Sequence, residues 1–183
     1  MDDVLNKNDN PYQSQEFSDR IIHLNRRGLN QLYPSEAWSL YRTLPKCESV
    51  IDLGCGSGDM AGIVNTISPS TRYSGVDSNA KLIEIAKRTE IKGKLEFIED
   101  DVFAFLKRPE KFDCVMGWAL LYAVENLYKL LEMMIAKANK YVLFDIRTIK
   151  TPDDVVDMSA SHTRYGKTTG PLPIASFDNL INF

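Results

Sequence analysis

Apolar and polar residues follow two rhythms along this chain, and the order of those rhythms predicts a fold. Short apolar runs of strand length occur at Ser49–Leu53, Arg72–Val76, Leu95–Glu99, Phe112–Met116 and Tyr141–Ile146. Between them the apolar residues return every three or four positions, the period of a helix with one buried face. Those helical stretches lie near Met60–Ile67, Asn79–Arg88, Val102–Leu106 and Val124–Ala138. In the last, Val124, Leu127, Tyr128, Leu131, Met134, Ile135 and Ala138 form a single stripe. Strands that alternate with helices are joined by crossovers, which makes neighbouring strands parallel and covers both faces of the sheet. Right-handed crossovers then give a doubly wound, Rossmann-like α/β sheet of about five strands.

Two helices are expected ahead of this core. Phe17, Ile21, Leu24 and Leu29 fall near one face; Pro34 and Ser35 open a second helix with Ala37, Trp38, Tyr41 and Leu44, which Pro45 ends. Residues up to about Gln13 are polar apart from Val4 and Leu5 and are expected to be disordered or loosely draped. After the fifth strand the chain is rich in Thr, Ser, Gly, Pro and Asp and has no alternating run. Pro173, Ser176, Phe177, Leu180, Ile181 and Phe183 read as the opening turns of an amphipathic helix. The organisation expected is a helical lid over 1–45, a sheet core over 46–150 and a shortened segment over 151–183. That last segment is expected to be poorly ordered, self-associating or loosely docked, leaving the fifth strand as an exposed edge.

The most informative stretch is Val50–Met60, Val-Ile-Asp-Leu-Gly-Cys-Gly-Ser-Gly-Asp-Met. A strand ends in Asp52, Gly54, Gly56 and Gly58 follow at alternate positions, and a helix begins. Such a strand–turn–helix brings backbone N–H groups and a helix N-terminus up to a nucleotide-like ligand. Glycine admits backbone angles and a close approach that side chains forbid. A pyrophosphate-binding fingerprint places its third glycine three residues after the second; here the interval is two. Asp52 would also repel a pyrophosphate. In this form the motif resembles the first motif of the class I S-adenosyl-L-methionine (SAM)-dependent methyltransferases. The resemblance implies that the loop Gly54, Cys55, Gly56 and Gly58 passes under the methionine part of the cofactor. It also implies that Asp52 orders the loop and the ligand's ammonium end.

Other strand ends continue the pattern. The second ends in Val76-Asp77-Ser78-Asn79. Asp77 stands about 20 positions past the glycines, where a Rossmann-type sheet holds the acid that accepts from the ribose hydroxyls. Asp77 or Ser78 could equally cap the next helix. The third ends in Glu99-Asp100-Asp101-Val102. The resemblance implies that Asp101, rather than Asp100, accepts from the adenine amino group, with the Val102 N–H reaching the ring. A helix start enriched in acids is the plainer alternative. The fourth strand, Phe112-Asp113-Cys114-Val115-Met116-Gly117-Trp118, is similar to the family's fourth motif. There Asp113 reads as structural, while Gly117 and Trp118 fall where the family lines its cofactor cleft. A core tryptophan is the competing reading of Trp118.

Composition narrows the setting. The formal net charge is −3, so no global basic field points to nucleic acid. No apolar run approaches the roughly 20 residues of a membrane helix. The acidic start lacks the apolar core of a signal peptide. Cys47, Cys55 and Cys114 have no metal-ligand spacing and read as reduced thiols of a cytoplasmic protein.

The chemistry implied by the resemblance is methyl transfer from a sulfonium, leaving S-adenosyl-L-homocysteine (SAH). The electrophile is already activated, so the protein has mainly to align the partners and exclude water. Neither an Asn-Pro-Pro-Tyr tetrad nor a Pro-Cys nucleophile pair is present. A small-molecule acceptor methylated on O or N is the leading expectation. His162, beyond the fifth strand, is a candidate general base, with a solvated loop histidine as its alternative. His23 reads as a surface residue beside Arg26 and Arg27. Tyr12, Phe17, His23 and Tyr33 are candidates for a lid over the acceptor. Arg147 could bind an anionic substrate group or pair with Asp145, Asp153 or Asp154. Two other readings stay open: a SAM-binding accessory domain without turnover, and a nicotinamide-dependent oxidoreductase.

Overall fold

In the computed structural model, residues 10–24, 28–91, 93–157, 159–165 and 168–183 are described; Val4, Leu5, Arg26, Arg27 and Gly166 lie outside them. Five parallel strands form the central sheet: β1 (Ser49–Leu53), β2 (Arg72–Asp77), β3 (Leu95–Glu99), β4 (Phe112–Gly117) and β5 (Ala138–Phe144). Their order is β3-β2-β1-β4-β5, so the chain reverses direction across the sheet between β1 and β4. This is the doubly wound arrangement, whose switch point opens a crevice at the carboxyl ends of the strands. β1 is buried along its whole length, as its continuous apolar run requires of a strand covered on both faces.

The helices are α1 (Gln15–Leu24), α2 (Pro34–Thr43), α3 (Asp59–Ile67), α4 (Ala80–Ala86), α5 (Val102–Leu106) and α6 (Leu127–Lys137). One face of the sheet packs Val50, Cys114 and Met116 against Leu40, Leu44, Ile63, Val64 and Ile83. On the other, Ile51, Leu53 and Val115 pack against Phe105, Leu106, Leu130, Leu131 and Met134. The stripe expected over Val124–Ala138 is trimmed at both ends. Asn126 caps the helix through its side chain, accepting from the Lys129 N–H, so α6 starts at Leu127. Its last residue, Lys137, is buried and donates through Nζ to the Arg108 carbonyl at 2.7 Å, and β5 starts at once. β5 therefore begins three residues earlier than the apolar run alone predicts.

The central sheet ends at β5, but the segment beyond is not free of strands. β6 (Thr148–Ile149) pairs in parallel with β9 (Ala175–Ser176), and β7 (His162–Tyr165) pairs antiparallel with β8 (Thr168–Pro171). Neither pair joins the central sheet. A short helix, α7 (Phe177–Ile181), follows the Ser176 cap. Polar anchors replace an apolar rhythm here. Asp154 accepts from the Tyr128 hydroxyl and the Ser176 N–H, and the fully buried Ser176 hydroxyl donates to the Thr151 carbonyl. Leu180 packs on the core beneath α6, and the Phe183 ring lies 5.2 Å from that of Tyr128.

Candidate functional site

At the switch point β1 turns into α3 through Gly54–Gly58. Gly54, Gly56 and Gly58 have φ of 70°, 55° and 79°, in the left-handed region that disfavours a side chain. At Gly58 space forbids one too, since a Cβ would stand 2.7 Å from Phe97 Cζ. The loop is tied to the end of β2. Gly54 N–H and Cys55 N–H both donate to the Val76 carbonyl, at 2.8 and 3.0 Å. Gly56 N–H donates to Asp77 Oδ2 at 2.9 Å, and Asp77 Oδ1 accepts from the Asn79 N–H at 2.8 Å. Register explains the link, because Leu53 lies opposite Val76 and both chains leave the sheet together.

The loop carboxylate is thus Asp77, not Asp52. Asp52 is buried and accepts from the Tyr73 hydroxyl at 2.6 Å, inside the sheet. Burial pushes its carboxyl up to about 7 despite that hydrogen bond. The ordering role expected for Asp52 is accordingly exerted on β2, through Tyr73. Burial also raises the Asp77 carboxyl, against the two backbone N–H groups that favour its charged form. Each Asp77 oxygen keeps a lone pair beyond those two bonds. The helix cap weighed for Asp77 or Ser78 belongs instead to Asn79, which accepts from the Leu82 N–H. Ser78 is exposed and its hydroxyl accepts from Gln13 Nε2 at 2.9 Å. Cys55 turns its side chain away from the loop's outer surface. Its thiol points into the sheet, 2.8 Å from where a Gly75 Cβ would stand, and its N–H is already used.

At the end of β3, Asp100 is committed to Arg108 in an ion pair of 2.5 Å. Asp101 caps α5, with Oδ1 accepting from the Ala104 N–H at 2.9 Å, while Oδ2 keeps its lone pairs. The capping alternative is therefore realised without using up the carboxylate. Val102, half-buried, is the first residue of α5. Gly117 closes β4, and a Cβ on it would stand 3.0 Å from Met134 Cε. Trp118 packs beside the core on the α2–α3 face, yet its indole Nε1 is buried with no hydrogen-bond partner. A buried donor left unpaired normally costs about 1–3 kcal/mol. The next residue, Ala119, has φ 57°, and its N–H donates to Asp145. This strained turn at the end of β4 was not legible in the sequence; an alanine gives no sign of a left-handed backbone.

The roof over these strand ends comes from both termini of the described chain. The 3-10 turn Pro11–Gln13 is held to β2 by Asn79 Nδ2, which donates to the Tyr12 carbonyl at 2.8 Å and to Ser18 Oγ at 3.1 Å. α1 lies on the glycine loop, with Ile21 Cγ2 3.2 Å from where a Gly56 Cβ would be. The β7–β8 hairpin rests on Pro11, which crowds Gly170, and contacts the 3-10 turn Leu121–Ala123. Of the lid candidates, Tyr12 and Phe17 belong to this roof and stack edge-to-face at 5.3 Å. Tyr33 and His23 are at the surface. His162 is exposed on β7. The Arg147 guanidinium lies 5.2 Å over the Tyr122 ring. Among the described residues no helix is long and apolar enough to cross a membrane.

A family model described as a methyltransferase domain matches residues 17–178. The chain belongs to that family. It is 29% identical over 127 residues to an uncharacterized 37.1 kDa protein of transposon TN4556 from Streptomyces fradiae, covering 64% of this chain and 36% of that one. Among solved structures it resembles an O-methyltransferase of a trans-AT PKS multienzyme of Brevibacillus brevis, in complex with SAH. The TM-score is 0.61 at 16% identity, over 80% of this chain and 48% of that one. It also resembles magnesium protoporphyrin IX methyltransferase of Synechocystis PCC 6803 with bound SAH, at TM-score 0.56 and 16% identity, over 78% and 72% of the two chains. At these identities the likeness is one of fold. The chain spans between 20% and 42% of the length of the curated relatives it matches.

Proposed function

We propose that this methyltransferase-family domain binds SAM over the glycine loop and transfers its methyl group to an O or N atom of a small-molecule acceptor. The observation that carries the reading is the bond from Gly56 N–H to Asp77 Oδ2, which makes the loop and the β2 carboxylate one rigid unit. Asp77 would accept from the ribose hydroxyls with its remaining lone pairs, and Asp101 Oδ2 from the adenine amino group. The buried indole N–H of Trp118, just past the end of β4, has no partner and is a further donor. These groups fit the cofactor: acceptors for hydroxyls and an amine, a side-chain-free loop, and carboxylates beside a cation.

When bound, SAM supplies a methyl group on a positively charged sulfur, open to in-line displacement by an electron-rich atom. The remaining tasks fall to the chain. The Pro11–Gln13 turn, α1 and the β7–β8 hairpin enclose the strand ends and exclude water. His162, on that hairpin, is the candidate base for an acceptor that carries a proton. The enclosing roof and the acids at this pole favour a compact, uncharged or cationic acceptor over a nucleic-acid strand. Incubation with SAM and a panel of small hydroxyl and amine compounds, reading SAH release, tests the reading. Release with one compound class supports it. SAM binding without release from any acceptor would favour an accessory domain, and binding of NAD in place of SAM would favour the oxidoreductase.

A further inference from the structure

The opposite pole of the sheet has a cavity of its own, of about 500 Å³, lined by Ser49, Ser70, Arg72, Lys94 and Lys111 together with Glu48 and Asp113. The topology assembles it. Arg72 is the first residue of β2, Lys94 precedes β3 and Lys111 precedes β4 by one residue. Because the strands are parallel, their amino ends stand side by side, and the three cations converge with them. None of the three makes an ion pair among the described residues. The acids nearby do not cancel them. Asp113 accepts from the Glu48 N–H at 2.8 Å and from Lys140 Nζ at 2.9 Å, and these bonds hold its carboxyl below its ordinary range. Among the described residues lining this polar cavity, that leaves one unmatched carboxylate, Glu48, with three cations. Ser49, 6% exposed, accepts from the Asp113 N–H and keeps its hydroxyl proton for another acceptor.

We propose that this pole is a binding site for a small phosphorylated molecule carrying at least two negative phosphate charges. Like charges gathered around one cavity repel unless an anion joins them, and Arg and Lys with a hydroxyl are the donor set that phosphate oxygens take. The volume of about 500 Å³ suits a compact ligand rather than an extended strand. The site is independent of the proposed methyl transfer: β1 alone holds the two poles roughly 17 Å apart.

Calorimetric titration of the full chain with inorganic pyrophosphate, in magnesium-free buffer, tests it. Saturable binding is expected, weakening as salt is raised. Arg72→Gln with Lys111→Gln should raise the dissociation constant by about tenfold or more, the scale of two lost charge-assisted hydrogen bonds. A second variant, Lys94→Gln with Lys111→Gln, removes two exposed side chains that make no ion pair among the described residues and guards against loss of fold. An unchanged SAH titration of both variants would show that the loss is local. Absence of pyrophosphate binding to the native chain, or equal binding by both variants, would overturn the proposal. So would displacement of pyrophosphate by a single-stranded oligonucleotide at far lower concentration, which would mark a strand-binding surface.

Discussion

The two ends of the central sheet differ in charge. Where the strands finish stand Asp77, Glu99, Asp101 and Asp145, with Asp77 bonded to the glycine loop; where they begin, Arg72, Lys94 and Lys111 line the second cavity. β2 alone opens with Arg72 and closes with Asp77. The net charge of −3 describes neither end. A parallel sheet aligns all its strands, so a bias shared by several strand ends adds up to a field along the strand axis. A sulfonium is drawn to the acidic end and a phosphate to the basic one.

The largest expected effect follows from the acid buried deepest at the acidic end. Asp52 titrates near 7 in the folded chain, against about 4 unfolded. The native state then holds the extra proton between those values, so stability falls as pH rises through that window. The full loss, reached above pH 7, is up to about 4 kcal/mol. Asp52→Asn keeps an acceptor for Tyr73 and should remove most of that slope; urea unfolding at pH 5 and pH 8 measures it. Gly58→Ala should come next, at about 3 kcal/mol, because φ of 79° and the Phe97 ring both oppose a side chain. Thermal unfolding would register it. Asp101→Ala should cost about 1 kcal/mol through the lost cap of α5, and should weaken SAH binding as well. If the acidic end serves only as a set of helix caps, stability will fall and SAH affinity will not. Trp118→Phe should change stability by less than about 1 kcal/mol, since the lost indole N–H has no partner. Its effect should fall on turnover of the acceptor.

How far these two ends could be read from the sequence differs in the same way. The acidic end was legible because three glycines at alternate positions and the carboxylates that follow β2 and β3 are local signals. All five strands and the main helices followed from periodicity. What escaped was contact across the chain. The bond to the loop falls to Asp77 rather than Asp52, because Gly56 meets Asp77 only once β1 and β2 are in register. Cys55 turns inward to fill the space beside Gly75. The β7–β8 hairpin has short strands of Thr, Gly and Tyr, and its support is Pro11, far away in sequence. The basic end escaped because single cations at strand starts look like ordinary solvated residues until the sheet order brings them together.

Calorimetric titration of the native chain and of Asp77→Ala with SAH tests most directly whether the loop and the β2 carboxylate form one binding unit. The expected result is micromolar binding by the native chain, weakened about 100-fold or more in the variant, with the circular dichroism spectrum unchanged. On the order of two hydrogen bonds to ribose and the anchor of the loop would be lost together. Failure of the native chain to bind SAH, or equal binding by Asp77→Ala, would contradict the account.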